Sequence, residues 1–337
     1  MSIGIILARE VARVVATTAF AFVGPYRSWP PRSVLLEQPL ALAEQKTDRL
    51  RRIYSMATRD AWDGPTVFRE AVAKHGGIQL SREKRVALSH LITMLMYGEL
   101  GAWIVSAELA EQLEEPDAKL AASAQVFDEA RHFYILRDYL ALLHVPAPQL
   151  DPYFVTAVRV LLNTRKLEIK LAAMQLLAEG TAQTIFHFLA DSEIEPVLTE
   201  ILPYISRDEA RHIGLGILYL PGRLAELSPR ECRRIALRVN AVGSMFAATQ
   251  LRLIEHYDTL GVDPRELFRR ADRMMWGLSE KLGKVPNTNQ RYLDAMNPDG
   301  PEYEKNLAYV LPPPGQERTR GGKILFRVLD LGARALA

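Results

Sequence analysis

Apolar positions in the middle of the chain recur at steps of three and four residues. Leu171, Met174, Leu177 and Ala178 follow this spacing, which places their side chains on one face of a helix. No stretch shows the sustained alternation bounded by hairpin turns that is typical of β-strands. Proline and glycine clusters are sparse between residues 80 and 285 and become frequent toward both ends. The pattern predicts an all-α protein.

The same periodicity predicts six long helices. They cover about residues 81–114, 117–143, 152–189, 194–219, 228–260 and 263–282. Ser81, Ser228 and Asp263 stand where a capping residue is expected, the last two directly before proline. We expect an N-terminal helical extension over residues 1–75, a four-helix bundle over 76–225, and C-terminal helices and a tail over 226–337 that pack on the bundle.

Composition and charge exclude several classes of function. Hydrophobic residues make up 48% and charged residues 24% of the 337 positions, which is typical of a globular protein. The 42 basic residues nearly cancel the 40 acidic ones, so we expect no nucleic-acid partner. The single cysteine, Cys232, excludes an iron-sulfur cluster or a four-cysteine zinc site built within this chain. Any metal must be bound by Glu, Asp and His.

Two terminal segments bear on localisation. The apolar run 14–23 is too short to span a bilayer, and charged residues before it interrupt the apolar region of a signal peptide, so we expect a cytoplasmic protein. The segment 323–334 gathers apolar residues on one helical face. It can dock on the bundle or on a second copy in a homodimer. Together with the N-terminal run it can instead rest on a membrane surface, which would suit a lipid-like substrate.

A pentapeptide, Asp-Glu-Ala-Arg-His, occurs twice. The copies at residues 128–132 and 208–212 are identical and 80 positions apart. The same offset relates two single glutamates in apolar surroundings, Glu99 and Glu179. A shared offset over several features indicates an internal duplication.

The spacing within each copy predicts a helical hairpin. Glu99 precedes Glu129 by 30 residues, and the midpoint lies next to the helix break at Pro116. At 1.5 Å rise per residue each limb covers roughly 20 Å, so an antiparallel return brings the two glutamates to about the same height. Glu179 and Glu209 have the same relation around residue 194.

The two hairpins together predict a centre for two metal ions. Glu and His three positions apart share one helical face, so each pentapeptide can bind an ion. The candidate ligands, which are also the candidate catalytic residues, are Glu99, Glu129, His132, Glu179, Glu209 and His212. Four carboxylates and two imidazoles suit two iron ions, with manganese as an alternative in one or both positions.

Residues beside these ligands are candidates for supporting them. Asp128 and Asp208 can accept the free ring N–H of the histidines, and Arg131 and Arg211 can balance the aspartates. Candidates for a pocket beside the metals are Tyr97, Trp103, Gln183 and His187. The alternative, that the pentapeptide is only a charged helix surface, conflicts with the apolar surroundings of the single glutamates, because a buried glutamate without a partner is unfavourable.

The order of a single Glu, Glu-x-x-His, a second single Glu and a second Glu-x-x-His resembles the ferritin-like di-iron carboxylate superfamily. The resemblance covers about residues 81–220 and matches all six ligand positions. It implies an enzyme of the oxygenase or oxidase type that uses dioxygen as co-substrate to oxidise an organic, apolar small molecule. Because the chain has no cysteine-rich electron-transfer module, an external ferredoxin or reductase is implied as electron donor.

At three positions the sequence differs from individual branches of the superfamily, which narrows the expected type of enzyme. Leu136 stands where the radical-bearing ribonucleotide reductase subunit has a tyrosine, and Ile205 stands where arylamine oxygenases have an extra histidine. Gln183 replaces the threonine of several oxygenases. Two alternatives stay open, namely a ferroxidase or iron-handling protein without an organic substrate, and a metal-free helical scaffold. An apolar cavity beside the metals favours the enzyme, whereas a polar ion channel favours iron handling.

Overall fold

The computed structural model describes residues 44–282, 303–313 and 316–337, and every regular element in these ranges is helical. The first helices are α1 Glu44–Arg59, α2 Gly64–His75, α3 Arg82–Gln112, α4 Pro116–Leu142, α5 Pro152–Asn163 and α6 Leu167–Ile169. A π-helix, Lys170–Ala178, follows and continues directly into α7 Glu179–Asp191. The remaining helices are α8 Pro196–Ala225, α9 Pro229–Arg252, α10 Ile254–Leu260, α11 Pro264–Leu282, α12 Tyr303–Val310 and α13 Arg320–Leu336. The all-α prediction is confirmed.

Two helical hairpins form a four-helix bundle. Helix α3 pairs with α4, and the π-helix with α7 pairs with α8, while α4 also packs on α8. The turn into α8 is anchored by the buried Glu195, whose carboxylate accepts hydrogen bonds from the backbone N–H groups of Val197 and Leu198. The hydroxyl of Tyr139 on α4 also donates to Glu195, at 2.9 Å. These contacts set the second hairpin against the first.

The bundle contains two apolar cores, one toward each end. One core includes residues between positions 102 and 109 of α3, 118 and 122 of α4, 171 and 177 of the π-helix, and 213 and 220 of α8. The other includes positions 88–96 of α3, 135–140 of α4, 185–189 of α7 and 197–205 of α8. On each helix the stretch between the two cores carries the predicted ligands. Burial of a large aliphatic side chain contributes about 1.5–3 kcal/mol, so both ends hold the middle in place.

Helix α3 has the length and the apolar composition of a membrane-spanning helix. Among the described residues it alone is long and apolar enough, by length and composition, to cross a membrane. However, 67% of its most apolar 18-residue window is buried inside the fold. The core helix of a bundle has this property, since its apolar residues pack against neighbouring helices.

Two predicted capping residues illustrate how the sequence places helix starts. Ser81 accepts a hydrogen bond from the backbone N–H of Lys84, and Ser228 forms a capping box with Glu231. These side chains satisfy backbone N–H groups that have no partner within the helix. The predicted starts of α3 and α9 are confirmed.

The prediction of a single helix over residues 152–189 is wrong. Helix α5 ends at Asn163, and Thr164 adopts an extended conformation with φ −77° and ψ 134°. The Thr164 hydroxyl accepts a hydrogen bond from the backbone N–H of Lys166, a local bond that competes with helix continuation. The predicted helix over 228–260 is likewise divided, with a break at Leu253 between α9 and α10.

Helices outside the bundle pack on its surface. Helices α1 and α2 lie on α4 and α8, and α9 lies on α5 and the π-helix. The C-terminal helix α13 docks on α5, where the hydroxyl of Tyr153 donates to the carbonyl of Leu329 at 3.1 Å. The C-terminal amphipathic segment thus packs on another helix of this chain, beside the bundle. The predicted N-terminal apolar run lies outside the described residues, and the domain boundaries stay a prediction.

Candidate metal centre

The bundle brings the six candidate ligands together between the two apolar cores. Glu99 lies on α3, Glu129 and His132 on α4, Glu179 at the start of α7, and Glu209 and His212 on α8. At most 3% of each residue's surface is exposed. Their donor atoms form two groups, each within 4.8 Å: Glu99, Glu129, His132 and Glu209, and Glu129, Glu179, Glu209 and His212. Glu129 and Glu209 belong to both groups.

Both histidines turn the same ring nitrogen toward the carboxylates. His132 Nδ1 lies 3.2 Å from Glu99 Oε2 and 3.1 Å from Glu209 Oε1. His212 Nδ1 lies 2.9 Å from Glu209 Oε2 and 3.0 Å from Glu129 Oε1. The Nε2 atoms point away from the carboxylate cluster toward aspartates. Nδ1 is therefore the atom that each ring offers to a metal ion.

The donor set fits two divalent cations. Glu129 Oε2 and Glu209 Oε1 are buried and accept no hydrogen bond of good geometry, although His132 Nδ1 lies 3.5 and 3.1 Å from them; this is unfavourable for a carboxylate oxygen. A bound cation would satisfy both atoms. Four carboxylates neutralise two divalent ions, and carboxylate with imidazole is a combination that iron and manganese accept.

Without metal, the four carboxyl groups differ in their affinity for protons. Burial and repulsion from Glu209 raise the pKa of Glu99 well above its usual value, and burial and repulsion from Glu129 do the same for Glu179. Burial also opposes ionisation of Glu129, but the positive charge of the His212 ring outweighs it and holds the pKa of Glu129 well below its usual value. Glu129 and Glu209, which belong to both groups of donors, thus carry the negative charge.

Without metal, both histidine rings also hold protons. Burial opposes the charged form of His212, but attraction to Glu129 and Glu209 raises its pKa well above the usual value. The pKa of His132 is also raised, because hydrogen bonds to Asp208 and Glu129 outweigh burial. Metal ions would replace these protons, so metal binding is expected to release protons and to weaken at low pH.

Each repeat supplies an aspartate that hydrogen-bonds the histidine of the other repeat. His132 Nε2 lies 3.2 Å from Asp208 Oδ2, and His212 Nε2 lies 3.4 Å from Asp128 Oδ2. Each aspartate therefore orients the histidine of the opposite pentapeptide. Such a partner fixes which ring nitrogen faces the metal.

Two buried arginines connect these aspartates. Arg131 donates to Asp128 and, at 2.7 Å, to Asp208, while Arg211 donates to Asp208 at 2.7 Å and to Asp128 at 2.9 Å. The indole N–H of Trp62, outside the bundle, donates to Asp208 at 2.7 Å. The four charges form a compensated ring behind the histidines, and they are nearly inaccessible to solvent.

Sequence reasoning missed two buried amides at the centre. Gln125, one helical turn before Glu129, donates from Nε2 to Glu129 and to Glu179. Gln175, in the π-helix, donates to the amide oxygen of Gln125 at 2.9 Å. The position of Gln125 on the ligand face of α4, one turn before Glu129, was the available signal.

An apolar cavity adjoins the centre. Glu99 and Glu179 form part of its wall, and its empty space including the mouth is about 650 Å³. The apolar lining includes Met94, Leu95, Phe154, Val158, Ile185 and Phe246. Thr181 and Gln250 are the uncharged polar side chains of its lining. The centre therefore borders a cavity whose lining is mostly apolar.

The four pocket candidates from the sequence do not line this cavity. Tyr97 is 41% exposed, and the Trp103 ring contacts Phe133 of α4. Gln183 donates to the backbone carbonyl of Ser206 on α8, and His187 bonds the Ser206 hydroxyl at 2.6 Å. These residues are therefore not part of the lining of this cavity, and a role for them in a pocket stays a prediction.

Helix α8 approaches the π-helix closely at Gly216. A Cβ atom at Gly216 would lie 2.8 Å from Gln175 Cβ and 2.9 Å from Leu176 Cδ2. We expect Gly216→Ala to destabilise the protein by about 1–3 kcal/mol, because the π-helix must shift. Gly222→Ala on the same helix is the control. It has no atom within 4 Å, so alanine there should be neutral or stabilising by up to about 1 kcal/mol. Urea denaturation measures both, and equal effects would contradict the close contact.

Comparisons with known proteins show the fold. No protein-family model matches the sequence, and a search of the curated proteins finds no match either. Among solved structures, an R2-like ligand-binding oxidase with an aerobically reconstituted and photoconverted metal cofactor has a TM-score of 0.55 at 15% identity. Variants of such an oxidase with an Mn/Fe and an Fe/Fe cofactor have TM-scores of 0.58 and 0.53 at 15% and 16% identity. Each similarity covers 77% of this chain and 100% of the other, so the chain has the ferritin-like all-α fold.

Proposed function

We propose that this chain is a non-haem di-iron, or mixed manganese and iron, oxidase that uses dioxygen to oxidise an apolar organic substrate. The observation that carries the proposal is the cluster of four buried carboxylates and two imidazoles bordering an apolar cavity. The structural neighbours described as oxidases, with Fe/Fe or Mn/Fe cofactors, support it.

The two groups of donors would hold one ion each. Glu99 and His132 serve one position, Glu179 and His212 the other, and the carboxylates shared between the groups serve both. When bound, the metal pair supplies the binding of dioxygen and the redox chemistry.

The chain contributes orientation and exclusion of water. The aspartates hold both rings with Nδ1 toward the metals, and the two apolar cores close the bundle at either end. The cavity would place an apolar substrate beside Glu99 and Glu179, where Thr181 and Gln250 can orient a polar substituent.

Complete reduction of dioxygen needs electrons beyond those of a two-electron substrate oxidation. The single Cys232 provides no iron-sulfur module in this chain, so we propose an external ferredoxin or reductase as the donor. The apolar lining of the cavity gives no support to the ferroxidase alternative, because a path for iron ions would need polar side chains.

The test combines iron loading with a change in the cavity. The metal-free protein is loaded anaerobically with ferrous iron and exposed to dioxygen, and the absorbance change is followed with apolar compounds of increasing size. We expect some of them to accelerate its decay and to be recovered as oxidised products. Ala182→Phe should retain the iron but lose this dependence, because residue 182 lines the cavity.

The control is Ala141→Phe, at an exposed position near the end of α4. It should behave like the unaltered protein. Iron oxidation that is independent of every apolar compound, with ferric mineral as the product, would contradict the proposal and support iron handling.

A further inference from the structure

One side chain beside the carboxylates breaks the symmetry of the two repeats. Gln125 lies one helical turn before Glu129, and its exposure is 1%. The offset of 80 places Ile205 at the corresponding position before Glu209, where it is completely buried. One half of the centre therefore has an amide where the other half has a hydrocarbon side chain.

The amide of Gln125 uses both of its N–H groups on candidate ligands. Nε2 lies 2.7 Å from Glu179 Oε1 and 3.0 Å from Glu129 Oε1. Its oxygen accepts from Gln175 Nε2 at 2.9 Å, which fixes the direction of the amide. A flipped amide would place oxygen against two carboxylates and nitrogen against the Gln175 donor, so the observed orientation is the favourable one.

The corresponding glutamate of the first repeat has a different environment. Glu99 accepts a hydrogen bond from His132 Nδ1 at 3.2 Å, and that nitrogen is itself a candidate ligand. Ile205 has no polar side-chain atom to offer. Metal binding by His132 would thus remove this restraint on Glu99, whereas the restraint on Glu179 by Gln125 would remain.

We propose that Gln125 is a positioning residue that makes the two metal positions unequal. It holds Glu129 and Glu179 in place for an ion at His212, so this position binds first and more tightly. The position at Glu99 and His132 shares Glu129, but its own glutamate, Glu99, has no amide donor, so this position binds second and keeps a ligand that can move beside the cavity. Restraint of a ligand before binding reduces the entropy lost on binding. The inference rests on the proposed two-metal centre.

The test measures metal binding without catalysis. Metal-free protein is titrated with Mn²⁺ in the absence of dioxygen by calorimetry, and bound Mn²⁺ is followed by electron paramagnetic resonance. The unaltered protein should bind two ions in two resolved steps. In Gln125→Ile, which copies the second repeat, the tighter step should weaken about 10–100-fold and the weaker step by less than about threefold.

Two further variants identify the steps. His212→Ala should remove the tighter step, and His132→Ala should remove the weaker one. Gln125→Met keeps the length of the side chain without a donor and repeats the test should isoleucine impair folding. The resonance of the first bound ion should also change in Gln125→Met, which an effect on stability alone would not produce.

The outcomes separate this inference from the proposed function. Failure of the unaltered protein to bind metal would overturn both. Two ions bound with equal affinity, or equal weakening of both steps in Gln125→Ile and Gln125→Met, would overturn the role of Gln125 and leave the metal centre standing. Selective loss of the tighter step supports the inference.

Discussion

Glu129→Ala is expected to abolish binding of both metal ions while the helices stay folded. Glu129 belongs to both groups of donors, and neither group retains a complete set without it. Metal content after anaerobic loading with ferrous iron should fall from about two ions per chain to near zero. The stabilisation by metal, about 4 kcal/mol for each ion at a free concentration a thousand times its Kd, should disappear as well. Metal analysis and thermal unfolding measure the two effects, and Glu209→Ala should behave alike.

Glu200→Ala provides the matched control for this variant. Glu200 lies on α8 like Glu209, but it is partly exposed and pairs with Lys74 at 2.8 Å on the surface. Its replacement should leave metal content unchanged. Two ions bound and oxidised normally by Glu129→Ala would show that the ligands are wrongly identified.

Asp208→Ala is expected to destabilise the metal-free protein by about 3–5 kcal/mol, because it removes one partner from a buried ionic network. Asp208 is completely buried and accepts hydrogen bonds from Arg131, Arg211 and Trp62. Its loss leaves a net positive charge in the interior beside His132. Chemical denaturation of the metal-free protein measures this effect separately from metal affinity.

Asp138→Ala is the control for a surface ion pair. Asp138 lies on α4 and pairs with Arg137 at 2.8 Å, with both side chains largely accessible. Such a pair contributes about 0–1 kcal/mol, so the variant should remain close to the unaltered protein. A similar loss of stability in both variants would mean that the buried network of aspartates and arginines contributes no more to the free energy of unfolding than a surface ion pair.

The sequence predicted the helical hairpins because their geometry is local. The return of Glu129 to the height of Glu99 depends on the rise per residue and on a break near Pro116, and both can be determined from spacing. The break at Thr164 was not predicted, because no proline or glycine marks it. The π-helix was not predicted either, since its residues follow the same apolar spacing as an α-helix.

Contacts between repeats were harder to predict than the repeats themselves. The pairing of Asp128 with His212, rather than with its neighbour His132, depends on how the two hairpins pack. Likewise the cavity residues Thr181 and Ala182 lie next to Glu179, yet the choice between them and Gln183 depends on the rotation of α7 against α3. Periodicity along one helix contains no information about that rotation.

The exchange of aspartates between the repeats has a consequence for the history of the chain. Because each pentapeptide orients its histidine with the aspartate of the other copy, a single hairpin contains only half of each supporting pair. An ancestral hairpin would have needed a second molecule, related by twofold symmetry, to complete the same arrangement. After duplication and fusion, a change at Asp128 removes the hydrogen-bond partner of His212 rather than that of its neighbour His132. We therefore expect these distant positions to change together when homologous sequences are aligned.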